Sequence, residues 1–280
     1  MSHPDRFLLA GVMGHPVMHS RSPRLHNFWL REHGLAGAYL PLAIEPAGLA
    51  AALRALPALG FSGCNLTIPH KEAAMAIVDE IDATARRIGA VNCVRVRKDG
   101  SLAATNYDGL GYVESVLEAK PDWRAEAGPV VVLGAGGAAR AVLVALAERG
   151  APEIRLVNRT LSRAQALADE FGAPIHAVPW EERNAAIEGA AMLVNTTSQG
   201  MVGQPPLEID LAKLPRHALV SDIVYVPLET PLLAAARARG HVGVDGLGML
   251  LHQARFAFRD WFGVLPEVSP ALRAEIVATL

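Results

Sequence analysis

Residues 130–139 read Val-Val-Val-Leu-Gly-Ala-Gly-Gly-Ala-Ala, and no other stretch constrains the fold of this chain as strongly. The apolar run fits a buried strand, and the Ala- and Leu-rich segment after it fits a helix. A strand that ends on G-x-G-x-x-A and opens a helix makes three demands. Gly134 must allow a tight turn, Gly136 must let backbone approach a pyrophosphate, and Ala139 must sit close between helix and sheet. Each position carries a suitable residue. The competing reading is a merely tight strand–helix turn. The placement between strand and helix favours dinucleotide binding.

The next strand, 153–158, ends on Asn158-Arg159-Thr160. A site for NAD usually carries Asp or Glu there for the ribose 2′-hydroxyl. Here Arg159, with Arg163 one helical turn on, offers guanidinium groups suited to a 2′-phosphate, and Thr160 adds a hydroxyl, so NADP is the expected cofactor. Two solvated helix-start arginines are the plainer alternative. Further strands at 191–195, 218–223 and 241–244 alternate with helical stretches at 162–171 and 230–239, the pattern of a parallel, doubly wound sheet.

Ahead of this lies a separate α/β pattern. Strands are expected at 8–14, 38–44 and 61–67, with helices at 24–34 and 46–56, and a break comes at 105–111. The closing segment 246–263 places Leu250, Ala254, Ala257 and Trp261 on one helical stripe that something must cover. A length of 280 residues leaves room for two domains. With 51% hydrophobic and 19% charged residues, the composition is that of a folded globular protein and speaks against disorder and coiled coil. A formal charge of −2 without a basic run gives little drive toward nucleic acid or anionic membrane. No apolar run is long enough to span a membrane, and the opening MSHPDRF lacks a signal peptide's order. A small-molecule partner and a cytoplasmic location are expected. Cys64 and Cys93 form no CxxC pair and read as ordinary reduced thiols.

Polar residues gather at strand ends in the first half. In the 14–23 loop, Ser20 and Ser22 offer hydroxyls, although Ser22 ahead of Pro23 also reads as a helix N-cap. His15 and His19 have no neighbouring carboxylate or Cys and make a poor metal pair. In Asn65-Leu66-Thr67-Ile68-Pro69-His70-Lys71, Lys71 stands at a helix start, where the dipole mildly disfavours a cation, and this marks it as functional. Asn92 and the segment Thr105-Asn106-Tyr107-Asp108 add amides and one carboxylate. A Lys and an Asp brought together in a cleft would pair and tune proton transfer.

Taken together, HSRSP, NLTIPHK, GAVN, GAGGAAR, NRTLSR, NTTSQGM, DIVYVPLETPLL and GLGMLLHQA, in this order along nearly the whole chain, resemble the shikimate dehydrogenase family. The resemblance implies an α/β fold of two domains. An N-terminal substrate domain, 1–111, would be completed by C-terminal helices, 246–280, around a Rossmann-type doubly wound NADP domain, 112–245. It implies reversible NADPH-dependent reduction of 3-dehydroshikimate to shikimate on the route to chorismate and the aromatic amino acids, by a monomer or homodimer. Lys71 and Asp108 would be the catalytic pair. Ser20, Ser22 and Tyr225 would hold the substrate carboxylate, and Thr67, Asn92 and Gln253 the ring hydroxyls. Gly134, Ala135, Gly136, Gly137 and Ala138 would line the pyrophosphate, and Asn158, Arg159, Thr160 and Arg163 the adenosine phosphate. Thr196, Ile223, Gly246 and Met249 would line the rest of the cofactor.

One position departs from the family. Where Asn-Thr-Asp is usual, this chain has Asn106-Tyr107-Asp108. In an extended segment Tyr107 points away from the side shared by Asn106 and Asp108; in a turn its phenol enters the pocket and bears on substrate choice. Packing is the more general fate of an aromatic. The alternatives to the main function are a broader quinate or aminoshikimate dehydrogenase and a catalytically idle NADP-binding homologue.

Overall fold

A computed structural model describes residues 7–280 of the chain; nearly all of the opening segment weighed as a leader lies outside them. The described residues divide into two units, one of residues up to Tyr107 together with Gln253–Thr279, the other of Asp108–His252 with Leu280. Each unit is built on one six-stranded sheet. The fold is α/β, an N-terminal unit completed by C-terminal helices plus a Rossmann-type unit.

In the first unit, β1 (Leu8–Gly14), α1 (Ser22–Glu32), β2 (Gly37–Ala43), α2 (Leu49–Ala55) and β3 (Phe61–Leu66) keep the expected βαβαβ order. The three strands pair in parallel as β2-β1-β3. The remainder of this sheet departs from the pattern read in the sequence. After α3 (His70–Ala73), β4 (Glu80–Ile81) and α4 (Ala83–Ile88), the strands β5 (Cys93–Val96) and β6 (Leu102–Thr105) form a hairpin that joins β3 antiparallel, giving the order β2-β1-β3-β5-β6-β4. Four-residue strands carry too few alternations to register as a period, although Asp99-Gly100 in the connecting turn is a hairpin signal.

In the second unit, α5 (Asp108–Ala119) precedes β7 (Val130–Leu133), α6 (Gly137–Glu148), β8 (Ile154–Asn158), α7 (Leu161–Phe171) and β9 (Ile175–Pro179). Then come α8 (Arg183–Ala186), β10 (Met192–Asn195), β11 (Leu219–Asp222), α9 (Pro231–Ala238) and β12 (Gly243–Val244). All pairings are parallel, in the order β12-β11-β10-β7-β8-β9. The order reverses at β7, so the glycine turn after β7 lies at the topological switch point, where such sheets bind ligands. Strand β9 escaped the sequence reading because Pro174 and Pro179 bracket it and its burial is partial.

Helix α10 (Gly246–Phe262) and helix α11 (Pro270–Val277) close the chain. Leu250 is only half-buried, whereas Leu247, Leu251, Ala254, Ala257, Phe258 and Trp261 are buried, so the covered face of α10 is wider than the stripe read from sequence. In the first unit, Phe258 packs edge-on to Trp29 and Phe262. Trp261 donates its indole N–H to the carbonyl of Val94 at 2.9 Å, which fixes the helix to β5. No described helix is long and apolar enough to cross a membrane. Both cysteines are free and buried, and burial pushes their thiols up, away from reactive thiolate chemistry.

Candidate active site

The glycine turn opens on a cavity of about 310 Å³ in the second unit. Gly134, at φ +105°, comes directly after β7, and a Cβ there would lie 2.8 Å from Thr196 Oγ1, so only glycine fits. Gly136 stands before α6 with no side-chain cap, and nothing lies within 4 Å of where its Cβ would be. The first-turn N–H groups of α6 are therefore unclaimed by any side-chain cap, as a pyrophosphate requires. Asn158 joins the turn to the next loop, accepting from Ala135 N–H at 3.2 Å and donating to the Thr160 carbonyl at 2.8 Å.

Seven of the expected cofactor residues line this cavity: Gly134, Ala135, Gly136, Asn158, Arg159, Arg163 and Thr196. Gly137 and Ala138 form the first turn of α6, and Thr160 precedes α7, just outside the lining. Ile223 and Met249 pack against the core, and Gly246 begins α10, where a Cβ would collide with the Ile223 carbonyl at 2.0 Å. Arg140 and Arg155 are paired with Glu170 and Glu153. Among the described residues no carboxylate holds Arg159 or Arg163, and both are exposed. Two uncommitted guanidiniums beside an uncapped helix and a glycine turn match the charge and shape of NADP.

The rest of the lining was not foreseen residue by residue: Trp180, Thr197, Ser198, Gln199, Gln204 and Pro205. Trp180 comes directly after the unexpected β9, and the Arg183 guanidinium sits 4.9 Å from its ring centre. The 195–199 loop is held by Asn195 at the end of β10. Its Oδ1 accepts from Thr197 N–H and Oγ1, and its Nδ2 donates to Gln199 O and to Asp222 Oδ1. Asp222, at the end of β11, also accepts from Val224 N–H and Thr230 Oγ1. Burial raises the pKa of this carboxyl, and the bonds from Thr230, Val224 and Asn195 pull it back down. Tyr225, half-buried, belongs to the loop that Asp222 fixes.

Most of the expected substrate residues belong to the first unit, where they lie on the loops and helices that follow its strands. Ser20 accepts from Ser22 N–H through its Oγ at 3.3 Å. Ser22 is the first residue of α1, not its cap; Arg21 holds the cap position, and no side chain caps the helix. The N-cap reading of Ser22 is thereby corrected, because the helix starts one residue earlier than Pro23 suggests. Thr67 leaves β3 with its N–H on the Met13 carbonyl at 3.0 Å. Half-buried Lys71 lies in α3, which is tied down where the Lys71 carbonyl accepts from Val91 N–H at 2.9 Å. Asp108, in the second unit, is the first residue of α5, where the helix dipole favours a carboxylate.

Asn92 and Gln253, far apart in sequence, are brought together: Asn92 Nδ2 donates to Gln253 Oε1 at 3.5 Å. Behind them Tyr39 Oη donates to Asn65 Oδ1 at 2.6 Å, and Asn65 Nδ2 donates to the Asn92 carbonyl at 3.0 Å. His26 stacks on Tyr39 at 4.1 Å, and burial lowers its pKa to about 3, so it is neutral there. Of the two directions open to Tyr107, the ring takes the packing one. It lies 5.5 Å from the ring of Phe256, and its Oη donates to Asp260 Oδ2 at 2.6 Å.

Residues 12–94 match the family model described as shikimate dehydrogenase substrate binding domain, and residues 118–223 match that described as shikimate / quinate 5-dehydrogenase. The chain belongs to the shikimate dehydrogenase family. A relative from Rhodospirillum rubrum, a shikimate dehydrogenase (NADP(+)), is 59% identical over 273 residues, 96% of each chain. Shikimate 5-dehydrogenase from Thermus thermophilus, solved with NADP(H) and shikimate, is 40% identical with a TM-score of 0.86, covering 98% of this chain and all of that one. A quinate dehydrogenase from Corynebacterium glutamicum, solved with NAD, is 34% identical with a TM-score of 0.90, covering 97% and 99%. The family thus includes both substrates and both cofactors. The choice for this chain rests on its own residues.

Proposed function

We propose that this protein is an NADP-dependent shikimate dehydrogenase, which reversibly reduces 3-dehydroshikimate to shikimate for aromatic amino-acid biosynthesis. The observation that carries the reading is the pair of uncommitted arginines, Arg159 and Arg163, at the adenosine end of the cavity in a chain with a 59% identical NADP-dependent relative. When bound, NADPH supplies the hydride. Lys71 gives a proton to the alkoxide oxygen that forms as the ketone is reduced, and takes one from the hydroxyl in the reverse direction. Asp108 accepts a hydrogen bond from the substrate and orients proton transfer. Ser20, Ser22 and Tyr225 bind the carboxylate, and Thr67, Asn92 and Gln253 the ring hydroxyls. Gly134 to Ala138 receive the pyrophosphate, Asn158, Arg159, Thr160 and Arg163 the 2′-phosphate end, and Thr196, Ile223, Gly246 and Met249 the remainder. The enzyme works in the cytoplasm as a monomer or homodimer.

Steady-state oxidation of shikimate and quinate, each with NADP⁺ and NAD⁺, tests this directly. Shikimate with NADP⁺ is expected to exceed every other pair in kcat/KM. Dominant quinate turnover would replace the substrate assignment, and silence on all four pairs would favour an idle homologue. Arg159→Ala is expected to raise KM for NADP⁺ by roughly ten- to hundredfold, the value of one charge-assisted hydrogen bond, and to leave KM for NAD⁺ nearly unchanged. Equal losses with both cofactors would remove Arg159 from the 2′-phosphate site.

A further inference from the structure

We propose that Tyr107 is a positioning residue, whose phenol, bonded to Asp260, holds the Asn92 and Gln253 side chains in register for the substrate's ring hydroxyls. This rests on the substrate roles given to those two residues above. Gln253, Phe256 and Asp260 stand at i, i+3 and i+7 on α10, and helix geometry puts them on one face. Tyr107 engages that face through its side chain, with its ring against Phe256 at 5.5 Å and its hydroxyl on Asp260 Oδ2 at 2.6 Å. Arg259 holds the other carboxylate oxygen of Asp260 at 3.1 Å, so the acceptor is itself fixed.

The backbone of Tyr107 acts on the other partner. Its N–H donates to Asn92 Oδ1 at 2.9 Å, which leaves Asn92 Nδ2 aimed at Gln253 Oε1 at 3.5 Å. One residue therefore closes a ring: its backbone sets the Asn92 amide, and its side chain sets the helix that carries Gln253. The 3.5 Å separation is at the long limit of a hydrogen bond, so small displacements of α10 decide whether it forms. The phenol lines a separate cavity of about 240 Å³ with Asp82, Cys93 and Arg95, and none of the assigned substrate residues lines it. Tyr107 thus acts through its neighbours and not by touching substrate. A threonine at this position would be too short to reach Asp260, so the tether needs the length of the tyrosine side chain.

Tyr107→Phe keeps the ring contact and removes the hydroxyl; Tyr107→Thr removes both. Networks of this kind modulate function by amounts that correspond to roughly two- to thirtyfold, and KM for shikimate should rise within that range, most in Tyr107→Thr. KM for NADP⁺ should stay constant, and kcat should move less than KM. In a Gln253→Ala background, Tyr107→Phe should have no further effect on KM. Independently of turnover, the side-chain amide resonances of Asn92 and Gln253 in the ligand-free protein, assigned by single substitution, should shift and broaden in Tyr107→Phe. A lower Tm with unchanged KM and unchanged resonances would reduce Tyr107 to packing and overturn the proposal, as would a KM effect that persists without Gln253. A wild-type protein that does not oxidise shikimate would defeat the function proposed above, while the amide resonances would still decide this inference.

Discussion

Lys71→Ala is expected to lower kcat for shikimate oxidation by about 10²–10⁴-fold, the usual contribution of a positioned proton-transfer group. The substitution removes an amine from a half-buried position in α3, whose backbone is anchored through Val91 and therefore stays in place. The fold and the affinity for NADPH should persist, as read by circular dichroism and by nucleotide fluorescence. Lys71→Arg should not restore the rate, since a guanidinium keeps its charge and its protons at any working pH. Activity of Lys71→Ala within about threefold of wild type would remove Lys71 from the proton step, whatever the status of the substrate assignment.

The second large effect is on stability. Gly63→Ala in β3 is expected to cost more than about 4 kcal/mol, because a Cβ there would lie 2.0 Å from the Val94 carbonyl and 2.3 Å from Trp261 Nε1. Neither obstacle is free to move. The carbonyl belongs to the strand paired with β3, and the indole is bonded to that same carbonyl at 2.9 Å. At φ +157° the backbone of Gly63 is also one that other residues rarely adopt. Thermal melting should show Tm lower by roughly 10 °C or more, on a scale of about 2–4 °C per kcal/mol. Trp261→Phe, which deletes the indole N–H and leaves the Val94 carbonyl short of a partner, should lose less, about 1–3 kcal/mol. A Gly63→Ala protein that melts within about 2 °C of wild type would show that β5 and α10 can shift apart cheaply.

The glycine turn was legible because its chemistry is local: a strand, three glycines and a helix lie within one short stretch, and each residue's demand concerns its immediate neighbours. Arg159 and Arg163 were legible for the same reason, since the end of the second strand is a fixed distance along the chain from the turn. The β5–β6 hairpin and β9 were not, because strands of four or five residues carry too little periodicity, and the energy that stabilises them comes from pairing with strands elsewhere. Trp180 was invisible as a cavity residue on the same account; its place depends on β9.

Tyr107 marks the boundary between the two kinds of information. The sequence, read beside the family it resembles, placed an aromatic next to Asp108 where a small hydroxyl is usual, and it posed the two directions that ring could take. Only the tertiary structure decided between them, because Asp260 lies 153 residues away along the chain and meets Tyr107 only when α10 folds back onto the first unit. The same holds for Asn92 and Gln253. Sequence fixes which groups are available and the local turns that present them. Which distant groups meet is set by the burial of helix faces and sheet edges, a property of the whole packed unit and not of any segment within it.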